Sequence, residues 1–175
     1  MNKIAKTFVA GSIVFGTALG ISVSDEGVSH SEAQAATTPY YQYEGNAGND
    51  PSFLLNEQFK NGIKYGKVTF NGVNVSARTV EGGKTTQKYD QTFSDYSKDD
   101  NIASNVNFSI KGNLTYEQVK DAYGKDLSKI KTPDKQPKGT GVYAYQSQNN
   151  GPTVFFEMKD GQVNEVNIGY GGYGG

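Results

Sequence analysis

Between Lys111 and Lys138 the chain places seven lysines, at 111, 120, 125, 129, 131, 135 and 138, against four acids, Glu117, Asp121, Asp126 and Asp134. Just beyond stand Tyr143 and Tyr145, two residues apart and therefore on one face of a strand. Ammonium groups beside aromatic rings are the parts of a sequence-tolerant nucleic-acid grip. Lysines neutralise phosphates, and rings stack on bases at about 1–3 kcal/mol per base. Each part also has a plainer use, since a lysine-bearing stretch can be a solvated linker and strand tyrosines often serve as packing. Together they make Lys111, Lys120, Lys125, Lys129, Lys131, Lys135, Lys138, Tyr143 and Tyr145 the candidate contacts for DNA or RNA.

Composition removes most other chemistry. The 175 residues include no cysteine, no tryptophan and one histidine, His30. Lys3 and Lys6 precede an apolar, small-residue run from Thr7 to Val23, and a polar stretch then ends Ala33-Gln34-Ala35. That order predicts a secretory signal peptide over residues 1–35, cut after Ala35. Glycines and serines interrupt the run, which falls short of the roughly 20 mostly apolar residues that a membrane span needs. Cleavage would take His30, two lysines and three acids with it, leaving 15 charges of each sign from 17 and 18. The exported chain would then hold neither imidazole nor thiol, which rules out Ser-His-Asp triads, thiol nucleophiles, disulfides and ordinary zinc sites. Its expected location is extracellular, free or loosely held at the cell surface.

Carboxylates remain. Glu57, Glu117 and Asp121 fall on expected helices, and a glycan hydrolase would need two such acids converging in a cleft. Their plainer reading is a solvated surface: Glu117 suits the positive end of a helix, and Asp121 sits four residues before Lys125. Asp95, Asp99 and Asp100 cluster in one turn but lack the glycine and closing glutamate of a calcium loop. No catalytic residue, metal site or cofactor is expected, and the chain reads as a non-enzyme.

The elements that must position the lysines and tyrosines are legible in part. Residues 36–50 carry Tyr40, Tyr41 and Tyr43 without a usable period and read as an extended arm. Asp50 and Pro51 then mark a helix start, with Leu55, Phe59 and Ile63 on its buried face. Val68 and Phe70, the turn Asn71-Gly72, and Val73, Val75 and Ala77 predict a hairpin, followed by a turn at 81–83 and a strand from Lys84 to Phe93. Val106, Phe108 and Ile110 alternate with Asn105, Asn107 and Ser109 in a further strand. Thr115 and Gln118 form a capping box, with Leu114 and Val119 as its hydrophobic staple, and Gly124 ends that second helix. A lysine-rich linker leads to three antiparallel strands, the last two joined by Asp160-Gly161.

This order predicts a single α+β domain over residues 51–170, an antiparallel sheet with two short helices, followed by a glycine-rich tail at 171–175. Helix followed by about three strands occurs twice, suggesting an α-β-β-β pseudo-repeat. The second half also loosely resembles the repeating unit of β-lactamase-inhibitor-protein-like folds.

Several segments carry a more specific likeness. The leader end AQAA, the TPYY segment, IKYGKVTFNG, KYDQTF, AYGKDL and VNEVNIGY resemble, in order and spacing, the immunodominant staphylococcal antigen B family. The resemblance implies a secreted or loosely surface-associated, virulence-associated antigen without known catalysis. It further implies binding of extracellular DNA or RNA with little sequence preference and a role at the host interface or in DNA-containing biofilm. It supplies no binding motif, so the site rests on charge and aromatic rings alone. The exported chain is formally neutral where the family leads one to expect a basic protein, which predicts a weaker electrostatic grip. The alternative is a secreted protein-binding module, directed at a host factor or acting as an inhibitor, through the exposed sheet face and the tyrosine arm.

Overall fold

The computed structural model describes residues 40–78, 83–147 and 149–171. The signal peptide at 1–35, the first residues of the arm, most of the turn at 81–83 and most of the tail at 171–175 lie outside the described residues.

Two sheets share one core. Strands β1 (Tyr41–Tyr43), β2 (Val68–Phe70), β3 (Val73–Val75) and β6 (Ile102–Ala103) form the smaller sheet in that order. The larger joins β4 (Lys84–Lys88), β5 (Gln91–Tyr96), β7 (Asn105–Ser109), β8 (Leu127–Lys129), β9 (Gly141–Tyr145), β10 (Thr153–Lys159) and β11 (Gln162–Gly169), in the order β4-β5-β7-β11-β10-β9-β8. Every pairing in the larger sheet is antiparallel, while β1–β2 and β3–β6 are parallel. With helices α1 (Glu57–Lys64) and α2 (Tyr116–Tyr123), the domain is α+β as its sequence predicts. The pseudo-repeat has a counterpart in the topology: β4-β5-β7 and β9-β10-β11 meet last strand to last strand at the centre of the sheet. The β2–β3 hairpin belongs to the first half alone.

Both glycine turns form as expected. Asn71 and Gly72 (φ 48° and 80°) join β2 to β3, and Asp160 and Gly161 (φ 52° and 81°) join β10 to β11. Positive φ at both central residues matches the twist of the flanking strands. The helix expected from Asp50 is instead divided. The Asp50 carboxylate accepts the Ser52 N–H at 3.2 Å and opens a 3-10 helix over Pro51–Leu55. Asn56 is then extended (ψ 141°) before α1 begins. The break lets Phe53 and Leu54 enter the core from one direction and Phe59 and Ile63 from another, which a single straight stripe would not allow. On α2 the capping box is present, with Thr115 Oγ1 accepting the Gln118 N–H at 3.2 Å. Leu114 and Val119 are both buried. Thr115→Ala should cost about 1 kcal/mol in urea unfolding, the usual worth of such a cap.

The expected arm does not exist as an arm from Tyr41 onward. Tyr41 and Tyr43 are 4% and 8% exposed and belong to β1, paired in parallel with β2. Tyr43 packs on Phe53 with ring centroids 4.3 Å apart, Tyr41 on Phe59 at 5.4 Å, and Phe70 on Phe108 at 5.9 Å, which ties both sheets and α1 to one aromatic cluster. Further on, the Asp90 carboxylate accepts the Ala47 and Gly48 N–H groups, each at 2.8 Å. At Gly48 a Cβ would stand 1.9 Å from the Ser109 carbonyl oxygen, so only glycine passes there. A three-residue strand is too short to show a period, which is why residues 41–50 read as loose.

Burial also sets an alkaline limit. It pushes the Tyr43 phenol up to about 12 from its ordinary 10, with the nearby Asp90 and Asp50 adding to the shift, and burial raises Tyr41 further. The folded state therefore holds these protons more tightly than the unfolded chain does. Their contribution is complete below pH 10 and is lost as pH rises toward the folded values, so urea midpoints should be flat from neutrality to about pH 9.5 and fall steeply above pH 10.

Candidate nucleic-acid interface

Six of the seven nominated lysines lie along one margin of the molecule. Lys120 is on α2, Lys125 in the 3-10 turn Gly124–Asp126 that follows it, Lys129 on β8, and Lys131, Lys135 and Lys138 in the loop leading to β9. β8 was read as part of a linker; it is the edge strand of the larger sheet, with Lys129 opposite Tyr143 on β9. Lys111 lies outside these elements. It follows β7, four strand positions from β8, or roughly 19 Å at about 4.8 Å per strand, and its backbone N–H bonds to Gly48.

The loop is held against α2 by defined contacts. Lys138 Nζ meets the Glu117 carboxylate at 2.7 Å and lies 5.2 Å from the Tyr116 ring centroid. The Lys138 hydrogen bond holds Glu117 below the usual carboxylate range, and Glu117 in turn raises Lys138. Lys129 Nζ donates to the Gln136 and Pro137 carbonyls at 3.2 Å each and sits 5.7 Å from the Tyr143 ring. Lys120, Lys125, Lys131 and Lys135 are exposed, and none pairs with a carboxylate among the described residues. With Lys111 set aside, the margin carries six lysines and four acids, so its excess positive charge is small.

The two tyrosines do not offer the expected stacking face. Tyr143 is 6% exposed, its ring 5.1 Å from that of Tyr116, and its hydroxyl accepts the Gly139 N–H at 3.1 Å. It supports the loop from beneath and is closed to a base. The reason is a face assignment: Tyr143 lies opposite Phe156 on β10, on the side of the sheet that meets the helices. Tyr145 is half-buried, 4.8 Å from the Tyr123 ring, and lines a separate cleft at the foot of α2. Tyr116, which is not among the nominated contacts, is the half-buried ring that stands with Lys138 on the lysine margin. Its place one residue after the capping threonine is the only sequence signal that it sits at the rim.

Other sites are sparse among the described residues. No group of three or more potential metal ligands occurs there, and no helix is long and apolar enough to cross a membrane. Glu57 and Asp126 do share the Tyr145 cleft, but Glu57 is 75% exposed and committed to Lys60 at 2.5 Å.

The comparisons with known proteins bear on the whole chain. The family model for immunodominant staphylococcal antigen B matches residues 40–168. Proteins named immunodominant staphylococcal antigen B from Staphylococcus aureus strains USA300, NCTC 8325 / PS 47 and N315 are each 37% identical over 174 residues, covering 99% of this chain and 98% of the relative. No solved structure matches, so the likeness to β-lactamase-inhibitor-protein-like folds gains no support there. The relatives carry an antigen's name and no reaction. On the family match and the full-length similarity together, the chain belongs to the immunodominant staphylococcal antigen B family.

Proposed function

We propose that this protein is a secreted, non-enzymatic antigen that holds extracellular DNA or RNA through phosphate contacts along the α2–β8 margin. The observation that carries this reading is the gathering of Lys120, Lys125, Lys129, Lys131, Lys135 and Lys138 on one margin, with only Lys138 paired to a carboxylate among the described residues. Phosphate contacts of this kind ignore base identity, because the backbone presents the same charge at every step. The small net charge of the margin makes the grip weak and strongly dependent on salt. Tyr116, beside Lys138, supplies the ring nearest to a bound strand; Tyr143 acts by holding the loop in place.

Fluorescence anisotropy with a labelled single-stranded oligonucleotide across a salt series tests this. About five contacts give a slope of roughly −3 to −4 in log affinity against log salt, at about −0.7 per contact. Affinity that does not change with salt would contradict the reading. Oligonucleotides of different base composition should bind alike.

A further inference from the structure

At the foot of α2, a cleft of about 180 Å³ opens between α1, the 3-10 turn Gly124–Asp126 and β9. Its lining includes Glu57, Lys60, Asn61, Lys64, Asp126 and Tyr145. One wall is fixed. Lys60, with 15% of its side chain exposed, bonds Glu57 at 2.5 Å and the Ala122 carbonyl at 2.6 Å, and lies 5.6 Å from the Tyr123 ring centroid. Lys64 leans over Tyr65, 5.8 Å from its ring. The remaining groups are unspent: among the described residues the Asn61 amide, the Asp126 carboxylate and the Tyr145 hydroxyl make no side-chain hydrogen bond. Burial raises the Tyr145 phenol first, and the negative charges of Asp126 and Glu57, which line the same cleft, add to the shift.

The formal charges of this lining cancel, two lysines against two acids, so neither a phosphate nor an ammonium ion is drawn in by net charge. What the cleft offers is hydrogen-bond acceptors and donors side by side next to a half-buried ring. A sugar ring has matching chemistry: each hydroxyl both donates and accepts, and the C–H face of the ring can lie on a phenol. We propose that this cleft binds a single pyranose residue of a glycan, with Asp126 accepting from its hydroxyls, Asn61 and Tyr145 completing the set, and the Tyr145 ring beneath it. The cleft has room for one residue and shares only the Gly124–Asp126 turn with the lysine margin, so the proposal does not depend on nucleic-acid binding.

Saturation-transfer NMR on the intact chain, with N-acetylglucosamine and with galactose in separate samples, tests it. Saturation of protein methyl protons should pass to the ring protons of at least one sugar; which one responds separates an acetamido-sugar source, such as a bacterial wall, from a galactosylated host glycan. Asp126→Ala and Asn61→Ala, both at exposed positions, should weaken that sugar's binding, about tenfold or more where the bond to the charged Asp126 is lost and several-fold where the bond to the neutral Asn61 is lost. Transfer to neither sugar would overturn the proposal. So would transfer that both variants leave intact, or amide shifts around Asn61 and Asp126 that inorganic phosphate produces and sugars do not.

Discussion

Removing Tyr40–Asn46 is expected to leave a chain that does not fold cooperatively, although this stretch looks dispensable in sequence. The deletion takes away Tyr41 and Tyr43, β1, and the Gly45 carbonyl that accepts from Gln91 Nε2 at 2.9 Å. Losing one large buried aromatic costs about 3–5 kcal/mol, and two such losses approach the whole stability of a domain, about 5–15 kcal/mol. The loss is compounded because Gln91, itself fully buried, would keep its amide in the core without that partner. The milder variant Tyr43→Ala should lower stability by about 3–5 kcal/mol with cooperativity retained. Far-ultraviolet circular dichroism under urea reads both. A deletion variant that unfolds sharply near the parent midpoint would show that β1 is an accessory after all.

Tyr143 has the second large effect, and its two variants separate support from stacking. Tyr143→Ala opens a cavity under the lysine loop and frees the Gly139 N–H, at a cost of about 3 kcal/mol or more. Tyr143→Phe keeps the ring against Tyr116 and loses only the hydroxyl's bond, at about 1 kcal/mol. Oligonucleotide affinity should be nearly unchanged in Tyr143→Phe. It should fall in Tyr143→Ala, together with thermal stability, because the loop carrying Lys131, Lys135 and Lys138 loses its seat. If Tyr143→Ala reduced binding while leaving stability intact, Tyr143 would be a contact residue and its burial in the folded chain would have to be relieved on binding.

The parts of the fold set by local chemistry were legible in the sequence. Asn71-Gly72 and Asp160-Gly161 announce their hairpins because few other residue pairs adopt positive φ twice in succession. Thr115 and Gln118 announce α2 because the capping box is satisfied within four residues. What depended on distant partners was not legible. β1 and β8 are three residues each, and they exist because β2 and β9 are there to pair with them. The division of the first helix at Asn56 likewise follows from where Phe53 and Phe59 must both reach, which no periodicity in the segment records.

The candidate site divides along the same line. Charge counting nominated the lysine segment as a unit, and six of its lysines stay together through short-range connections within α2, the turn after it, β8 and one loop. It also included Lys111, which sequence distance alone could not separate from the others, although β9, β10 and β11 lie between its strand and β8. The alternation that placed Tyr143 and Tyr145 on one face was right, but it carried no information on which face meets the helices. Tyr143 turned inward and Tyr145 entered a different cleft.

The central claim concerns the place of the charge and not its amount, so the most direct measurement compares two variants of equal charge. In one, Lys120, Lys125, Lys131 and Lys135, all exposed on the α2–β8 margin, become glutamine; in the other, Lys67, Lys84 and Lys98, exposed elsewhere, and the half-buried Lys88 of β4 do. Titrated with the same single-stranded oligonucleotide over the same salt series, the margin variant should bind at least about tenfold more weakly, with a salt slope shallower by about 3, while the second variant stays close to the parent. Equal losses in the two variants, or a larger loss in the second, would contradict the assignment of the grip to this margin.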